Sequence, residues 1–519
     1  MTYLAPSTSS LWSTERFGQG LGPSGNSQWQ SPLAYMASIQ ILDDDSLLNV
    51  FYFCRPFLLG EDQDDEARLW GGKRQWVGEH WWCKLTHVCQ RWRNVILCSP
   101  SYLGICQVCT YGTPVADMLA HSPPLPLVID YFDECHGITT EDEDEIVLAL
   151  KQRNRVRRVR LHMPVTNLQK LVMAIDEEYP SLEYLVIMHR TDDNSTTLIF
   201  PEAFQAPRLR HLLLIGFALP LGPRLLLTGM DLVTLCLFMD HPSTYFQPNT
   251  LLQWISFMPQ LETLVIVFVF PVPNRDVERQ LMYTPITSYI TLPHLRWFVF
   301  QGVSAYLEAV VRRITAPRLE KLQIDFFNQL TFSISGLLQF INRIENLSFE
   351  SAKFEFSKGQ VYVEVYPRGE TELYALSIAV GCWHHDWQVF SVAQISNRLS
   401  QMFSAVEHLT LEHEVHDWSS EEHSEVDRIE WRYFLSSFSN VKTLHIDDGQ
   451  HGLVEELSRC LQSDDGELSF ELLPELQELK YSGSYDTYAQ AQTEALLSPF
   501  ETSSITPVSS EEVGNDFYT

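Results

Sequence analysis

The chain has 519 residues, a formal net charge of −30 and an apolar share of 45%. That charge argues against general binding to nucleic acid or to acidic membrane surfaces, and the length exceeds one ordinary core unless the fold grows by stacking. The longest apolar run, 264–270, is strand-sized and closed by Pro271, so no segment reads as a membrane span, and residues 1–30 lack the basic start and apolar stretch of a secretory signal.

Residues 1–35, rich in Ser, Gly, Pro and Gln, predict a disordered segment. Residues 38–104 predict a small helical domain. Ile41-Leu42 leads through Asp43, Asp44 and Asp45, which suit a helix N-terminus, into Leu47, Leu48, Val50 and Phe51. An acidic, Gly-bearing insertion at 60–80 reads as a surface excursion. Then come Trp82, Leu85, Val88, Cys89, Trp92, Arg93 and Ile96. Leu85, Val88, Trp92 and Val95 fall at three- and four-residue steps and predict one apolar helix face.

From 105 to 482 a phrase keeps returning, Leu-x-x-Leu-x-Leu, usually after Pro. It starts at Leu182, Leu209, Leu261, Leu295 and Leu319, behind Pro180, Pro207, Pro259, Pro293 and Pro317. Weaker copies start at Val156, Leu232, Ile344, Val406, Val441 and Leu476. From Val156 to Ile344 the starts are 23 to 34 residues apart, the period of a solenoid whose units bury apolar edges against their neighbours. The last two apolar residues of each phrase are two apart, so they share one face of a strand. Between phrases lie helical periods, such as Leu168, Leu171, Val172, Ile175 and Leu251, Leu252, Ile255, Met258. The fold class is therefore α/β: a small α-helical domain followed by a leucine-rich-repeat horseshoe, parallel strands inside and helices outside. Strands are predicted near 105–109 and 127–131, an acidic loop at 141–145, a β-hairpin insertion near 350–366 around Lys358-Gly359, and a disordered acidic tail at 483–519.

The residues between the core leucines point to the inner side of the strand layer. In order they run from basic (Arg158, Arg160, His162) through apolar (Tyr184, Val186, Met188; His211, Leu213, Ile215; Thr234, Cys236, Phe238; Thr263, Val265, Val267; Trp297, Val299, Gln301) to polar and acidic (Lys321, Gln323, Asp325; Asn346, Ser348, Glu350; His408, Thr410, Glu412). The apolar middle either marks an interaction site or is covered by the protein's own loops or tail. The five arginines between 153 and 160 pair with Glu141 to Glu145 in the plain reading. In the sharper one they grip an acidic or phosphorylated partner, with Arg158, Arg160, Tyr184, Phe238 and Trp297 as the binding residues.

Chemistry finds no anchor. Cys106 and Cys109 have zinc-ligand spacing but no second pair, and buried free thiols are the simpler account. His384, His385 and Asp386, or His408, His413 and His416, could ligate a metal, but in a chain with 17 His such groupings arise by chance. No phosphate loop, nucleophile elbow or His-Glu-x-x-His is present. We expect no enzyme activity and no cofactor. The scattered cysteines suit an intracellular, reducing compartment, cytoplasm or nucleus.

Residues 38–104 resemble the F-box, in which a Leu-Leu-x-x-Ile-Phe helix and a Val-Cys-x-x-Trp-Arg helix recur over a similar length. Asp43 stands where that family has Pro, and the loop at 60–80 is longer. With the repeats behind it, the chain resembles a fungal F-box protein with irregular leucine-rich repeats. The resemblance implies docking on the Skp subunit of a cullin-based ubiquitin ligase through Leu42, Leu47, Leu48, Val50, Phe51, Val88, Cys89, Trp92 and Ile96. Each of them faces either that partner or the unit's own small core. It also implies that the solenoid holds a protein substrate. The alternative is a repeat scaffold for protein–protein contact with no ligase link, or simply a helical cap on the solenoid.

Overall fold

The computed structural model describes residues 41–54, 81–132, 137–175, 177–190, 197–220, 222–270, 289–344, 349–369, 374–413, 428–448, 457 and 472–483. The segments 1–35 and 60–80 and almost all of 483–519 lie outside them. The chain divides into two units, Met1–Cys54 and Arg55–Thr519.

The first unit contributes helix α1 (Asp44–Phe53). Asp43 caps it, accepting the Ser46 N–H at 2.6 Å, and Asp44 and Asp45 occupy the first turn, where the helix dipole favours negative charge. Leu47 and Phe51, one turn apart, are buried.

The second unit opens with α2 (Trp81–Thr86) and α3 (Gln90–Cys98). The single helix face expected through Leu85, Val88, Trp92 and Val95 is broken here. Cys89 is extended and its Sγ accepts the Trp92 N–H at 3.5 Å, so a new helix starts. Val88 falls in the intervening turn, 58% exposed, whereas Val95 and Ile96 are buried.

Fifteen strands then form one sheet: β1 (Gln107–Cys109), β2 (Leu127–Tyr131), β3 (Val156–Pro164), β4 (Tyr184–Arg190), β5 (His211–Ile215), β6 (Thr234–Met239), β7 (Thr263–Phe268), β8 (Trp297–Gly302), β9 (Lys321–Phe327), β10 (Ser351–Ser357), β11 (Gly359–Tyr366), β12 (Leu376–Cys382), β13 (His408–His413), β14 (Thr443–Asp448) and β15 (Glu478–Gly483). The spatial order follows the chain, except that β9 is followed by β12, β11, β10 and then β13. Among the described strands only β11 runs against its neighbours. The expected hairpin is therefore present, turning at Gly359 with φ of +108°, but it is built into the sheet instead of hanging from it.

The recurring proline has a local cause. Leu182, Leu209, Leu261, Leu295, Leu319 and Leu476 each donate an N–H to the carbonyl three residues earlier, at 3.0–3.3 Å, and Pro180, Pro207, Pro259, Pro293, Pro317 and Pro474 are the second residues of those turns. That position wants the backbone angle proline already has, and the first leucine of the phrase closes the turn. Leu232 makes the same bond to Gly229 without proline.

The Ile344 copy is displaced. The strand starts at Ser351, and the phrase that forms it is Phe349-x-x-Ala352-x-Phe354. The Glu350 carbonyl accepts the N–H groups of Glu407 and His408, as the Glu183 carbonyl accepts those of Arg210 and His211 one strand before β5. The inward residues are thus Ser351, Lys353 and Glu355; Asn346 and Ser348 lie outside the described residues. A copy absent from the sequence reading, Leu373-x-x-Leu376-x-Ile378, leads β12.

Helices α4 (Thr140–Leu150), α5 (Val165–Ala174), α6 (Pro248–Ile255), α7 (Ser304–Val311), α8 (Ser335–Ile341), α9 (His385–Arg398) and α10 (Arg428–Leu435) pack on one face of the sheet. Their Leu168, Leu171, Leu251, Trp254, Leu307, Val310, Leu337, Phe340, Val392 and Ile395 share a single core with Leu185, Leu212, Leu264 and Phe298 of the strands. Residues 141–145, expected as a loop, begin α4 instead. Thr139 and Asp142 cap each other there, and Ile146, Ala149 and Leu150 supply the buried face.

Neighbouring repeats are stitched by charge as well. Glu308 on α7 is buried, and its carboxylate accepts the N–H groups of Gly336 and Leu337, both at 2.8 Å, at the start of α8. Gly336 is required by this approach, because a Cβ there would lie 2.3 Å from Arg312 Cγ. The whole is a mixed α/β architecture with one long, nearly all-parallel sheet and helices along one face, consistent with leucine-rich repeats. Among the described residues no helix is long and apolar enough to cross a membrane.

Candidate functional site

Strand register fixes which side chains share the face that carries no helix among the described residues. Three rows cross the sheet. One runs Arg158, Tyr184, His211, Thr234, Thr263, Trp297, Lys321. The second runs Asp130, Arg160, Val186, Leu213, Cys236, Val265, Val299, Gln323, Ser377, Glu364, Lys353, Thr410, His445, Lys480. The third runs His162, Met188, Ile215, Phe238, Val267, Gln301, Asp325, Ala379, Tyr362, Glu355, Glu412, Asp447. From β3 to β9 these are the inward residues that period-two reading selects.

At the basic end, Arg153, Arg155, Arg157 and Arg160 are engaged within the chain. Arg160 is 7% exposed, donates to Asp130 Oδ2 at 3.2 Å and lies over the Phe132 ring, 4.4 Å from its centre. Arg153 pairs with Glu177, Arg157 with Glu183 at 2.7 Å, and Arg155 donates to Gln107 Oε1 at 2.7 Å. The partners expected for this cluster are engaged elsewhere: Glu143 holds Lys170, Asp142 caps α4, and Glu145 accepts the Ala116 N–H. The cause is register. β2 lies beside β3 and brings Asp130 opposite Arg160, a juxtaposition no local pattern announces.

The apolar middle is a second core. Val186, Leu213, Cys236, Phe238, Val265, Val267, Trp297 and Val299 pack on one another, with Tyr184, Met188 and Ile215 half-buried around them. Phe238 and Trp297 are 9% and 7% exposed. Burial pushes the Cys236 thiol up, and on the helix side it pushes Cys109 up to about 12. The eight described cysteines are free thiols. Alkylation of the native protein is therefore expected to label exposed Cys54, Cys89 and Cys98 within minutes, and Cys109 and Cys236 only after unfolding. Native labelling of Cys236 at the same rate would show that this second core is open.

Beyond β9 the face turns acidic. Asp325, Glu364, Glu355, Glu412 and Asp447 look out from β9, β11, β10, β13 and β14, and Lys353 bridges Glu355 at 3.1 Å and Glu412 at 2.8 Å. Burial works against the Lys353 ammonium, but those hydrogen bonds outweigh it and hold its pKa above the usual range. Tyr366 donates to Glu364 at 2.5 Å. Asp325 makes no ion pair among the described residues, and burial pushes its carboxyl up to about 6. β12 brings only Ser377, Ala379 and Gly381 to this face, and the register sets the small Ala379 between Asp325 and Tyr362.

His408 lies close to Glu350 and Glu407, but Glu407 holds Lys442 at 2.8 Å and Glu350 holds Arg368 at 3.6 Å. His385 and His413 come together in the core, ring centres 5.3 Å apart, beside Phe356 and Trp431. His416 is outside the described residues. Of the residues assigned to Skp docking, Leu47, Phe51 and Ile96 are buried, Leu42, Leu48 and Trp92 half-buried, and Val50, Val88 and Cys89 exposed.

No protein-family model matches the chain, and none of the curated proteins matches it. Among solved structures it is similar to the leucine-rich repeat-containing protein LegL7 from Legionella pneumophila, with 10% sequence identity over 77% of this chain and 99% of that chain and a TM-score of 0.25. The repeat character of this chain rests on its own turns, register and helix placement.

Proposed function

We propose that the chain is a non-catalytic adaptor. The helix-free face holds a protein partner, and the helices at 38–104 dock on the Skp subunit of a cullin-based ubiquitin ligase, with ubiquitin transferred by enzymes this chain lacks. The observation that carries the first half is the long sheet face that carries no helix among the described residues, a surface wide enough for a protein. The second half is supported by the two F-box-like helical stretches, each of which leaves apolar side chains outside its own core: Val50 and Phe53 on α1, 37% and 83% exposed, and Val88 before α3. The free thiols suit a reducing compartment, cytoplasm or nucleus. A scaffold without a ligase link is the competing reading, favoured by the break at Cys89 that interrupts the second F-box-like helix.

The exposed positions supply the test. Val50→Asp combined with Val88→Asp removes two apolar contacts of roughly 1.5–3 kcal/mol each and is expected to weaken Skp binding about 100-fold or more. Circular dichroism should not change. Full retention of Skp by this variant in a pull-down would eliminate the ligase link and leave the scaffold.

A further inference from the structure

We propose that the helix-free face between β9 and β14 grips a cationic stretch of the partner, an extended segment carrying spaced Arg or Lys side chains. This rests on the reading that the helix-free face holds a protein partner, and it assigns the chemistry of that partner.

The charge that remains available on this face is negative. Five carboxylates, Asp325, Glu364, Glu355, Glu412 and Asp447, stand over β9, β11, β10, β13 and β14, and among the described residues one ammonium between them, Lys353, is shared by two. The flanking lysines are engaged: Lys321 lies over the Trp297 and Tyr374 rings, and Lys480 pairs with Glu478. At the opposite end of the face, Arg160 is engaged by Asp130. Asp325 is the sharpest feature. It is a half-buried carboxylate with no ion pair among the described residues, opposite the small Ala379 of β12, where an incoming ammonium or guanidinium would offset its burial.

Geometry sets the spacing of the ligand. Asp325 and Glu355 lie in one row three strands apart, about 14 Å at the usual strand separation of about 4.8 Å. An extended chain advances about 3.3 Å per residue, so cations four residues apart reach both.

The test uses the full chain and three labelled twelve-residue peptides: Arg-Gly-Ser-Gly repeated, its Glu-for-Arg counterpart and its Gln-for-Arg counterpart. The Arg peptide is expected to bind at least tenfold more tightly than the Gln peptide. Asp325→Asn with Glu364→Gln should remove that preference. Glu141→Gln with Asp144→Asn, the same charge change on exposed positions of α4, should leave it unchanged. Binding should strengthen as pH rises from 5 to 7.5, as Asp325 gives up its proton, and the Asp325→Asn variant should flatten that rise. Equal losses in both double variants would reduce the effect to overall charge and overturn the proposal. So would Arg and Gln peptides that bind alike. Preferential binding of the Glu peptide, lost in Arg158→Glu, would overturn the cationic assignment while the face remained a partner site. Absence of any face-dependent binding would remove both.

Discussion

Arg160→Ala is expected to lower the unfolding free energy by about 3–5 kcal/mol, the usual cost of stripping one partner from a buried ion pair. The argument starts from burial. Arg160 and Asp130 side chains are 8% and 11% exposed, so water cannot replace the guanidinium once it is gone. The stacking on Phe132 is lost with it. Arg153→Ala removes an arginine from the same cluster, but its pair with Glu177 is 39% and 51% exposed, and such pairs contribute about 0–1 kcal/mol. Urea denaturation separates the two: a large drop in midpoint at unchanged slope for Arg160→Ala, and almost none for Arg153→Ala. Asp130→Leu with Arg160→Met should lose far less than Arg160→Ala alone, because no charge is left behind. A cost below about 1 kcal/mol for Arg160→Ala would mean that water reaches the pair and that this end of the face is open to a partner after all.

That pair also marks the limit of what the sequence makes legible. Proline before Leu-x-x-Leu-x-Leu is a local signal with a local cause, a turn closed by the first leucine, and it locates β4, β5, β7, β8 and β9 with the correct residues inward. Period two carries the same accuracy through the hairpin at Lys358-Gly359. Reading fails where two apolar phrases overlap. Ile344-x-x-Leu347-x-Phe349 and Phe349-x-x-Ala352-x-Phe354 share a residue, and the shared Phe349 belongs to the second. It fails again at 141–145, where carboxylates read as loop are instead the cap of a helix whose apolar face begins at Ile146. The partners of Arg160, Arg157 and Arg153 come from other strands and loops, and only the parallel register brings them near. For the helical region, period three and four gives apolar positions but not helix boundaries, so Val88 reads as part of one continuous apolar helix face where Cys89 in fact starts a new helix.

The second large effect concerns Trp297, a residue the sequence marks for partner contact. Trp297→Ala is expected to destabilise the protein by about 3–5 kcal/mol, because a 7%-exposed indole leaves a cavity that the rigid strand spacing cannot close. It packs among Val265, Val267 and Val299 on the helix-free face, and the Lys321 ammonium lies 5.0 Å from its ring. Trp297→Phe should be much milder, within about 1.5 kcal/mol, since it keeps most of the apolar volume. Its indole Nε1–H is buried with no hydrogen-bond partner in this structure, so removing that group also removes a desolvation cost. Phe238→Ala, on the same cluster at 9% exposure, should behave like Trp297→Ala. The contrast decides what this stretch is for. Loss of stability with Trp297→Ala and near-neutrality with Trp297→Phe identify the apolar middle as a core that stiffens the sheet and leaves partner contact to its rim and to the acidic strands beyond β9. If Trp297→Ala instead leaves thermal and urea unfolding unchanged while partner capture fails, the indole is a contact residue and the face opens where it now packs shut.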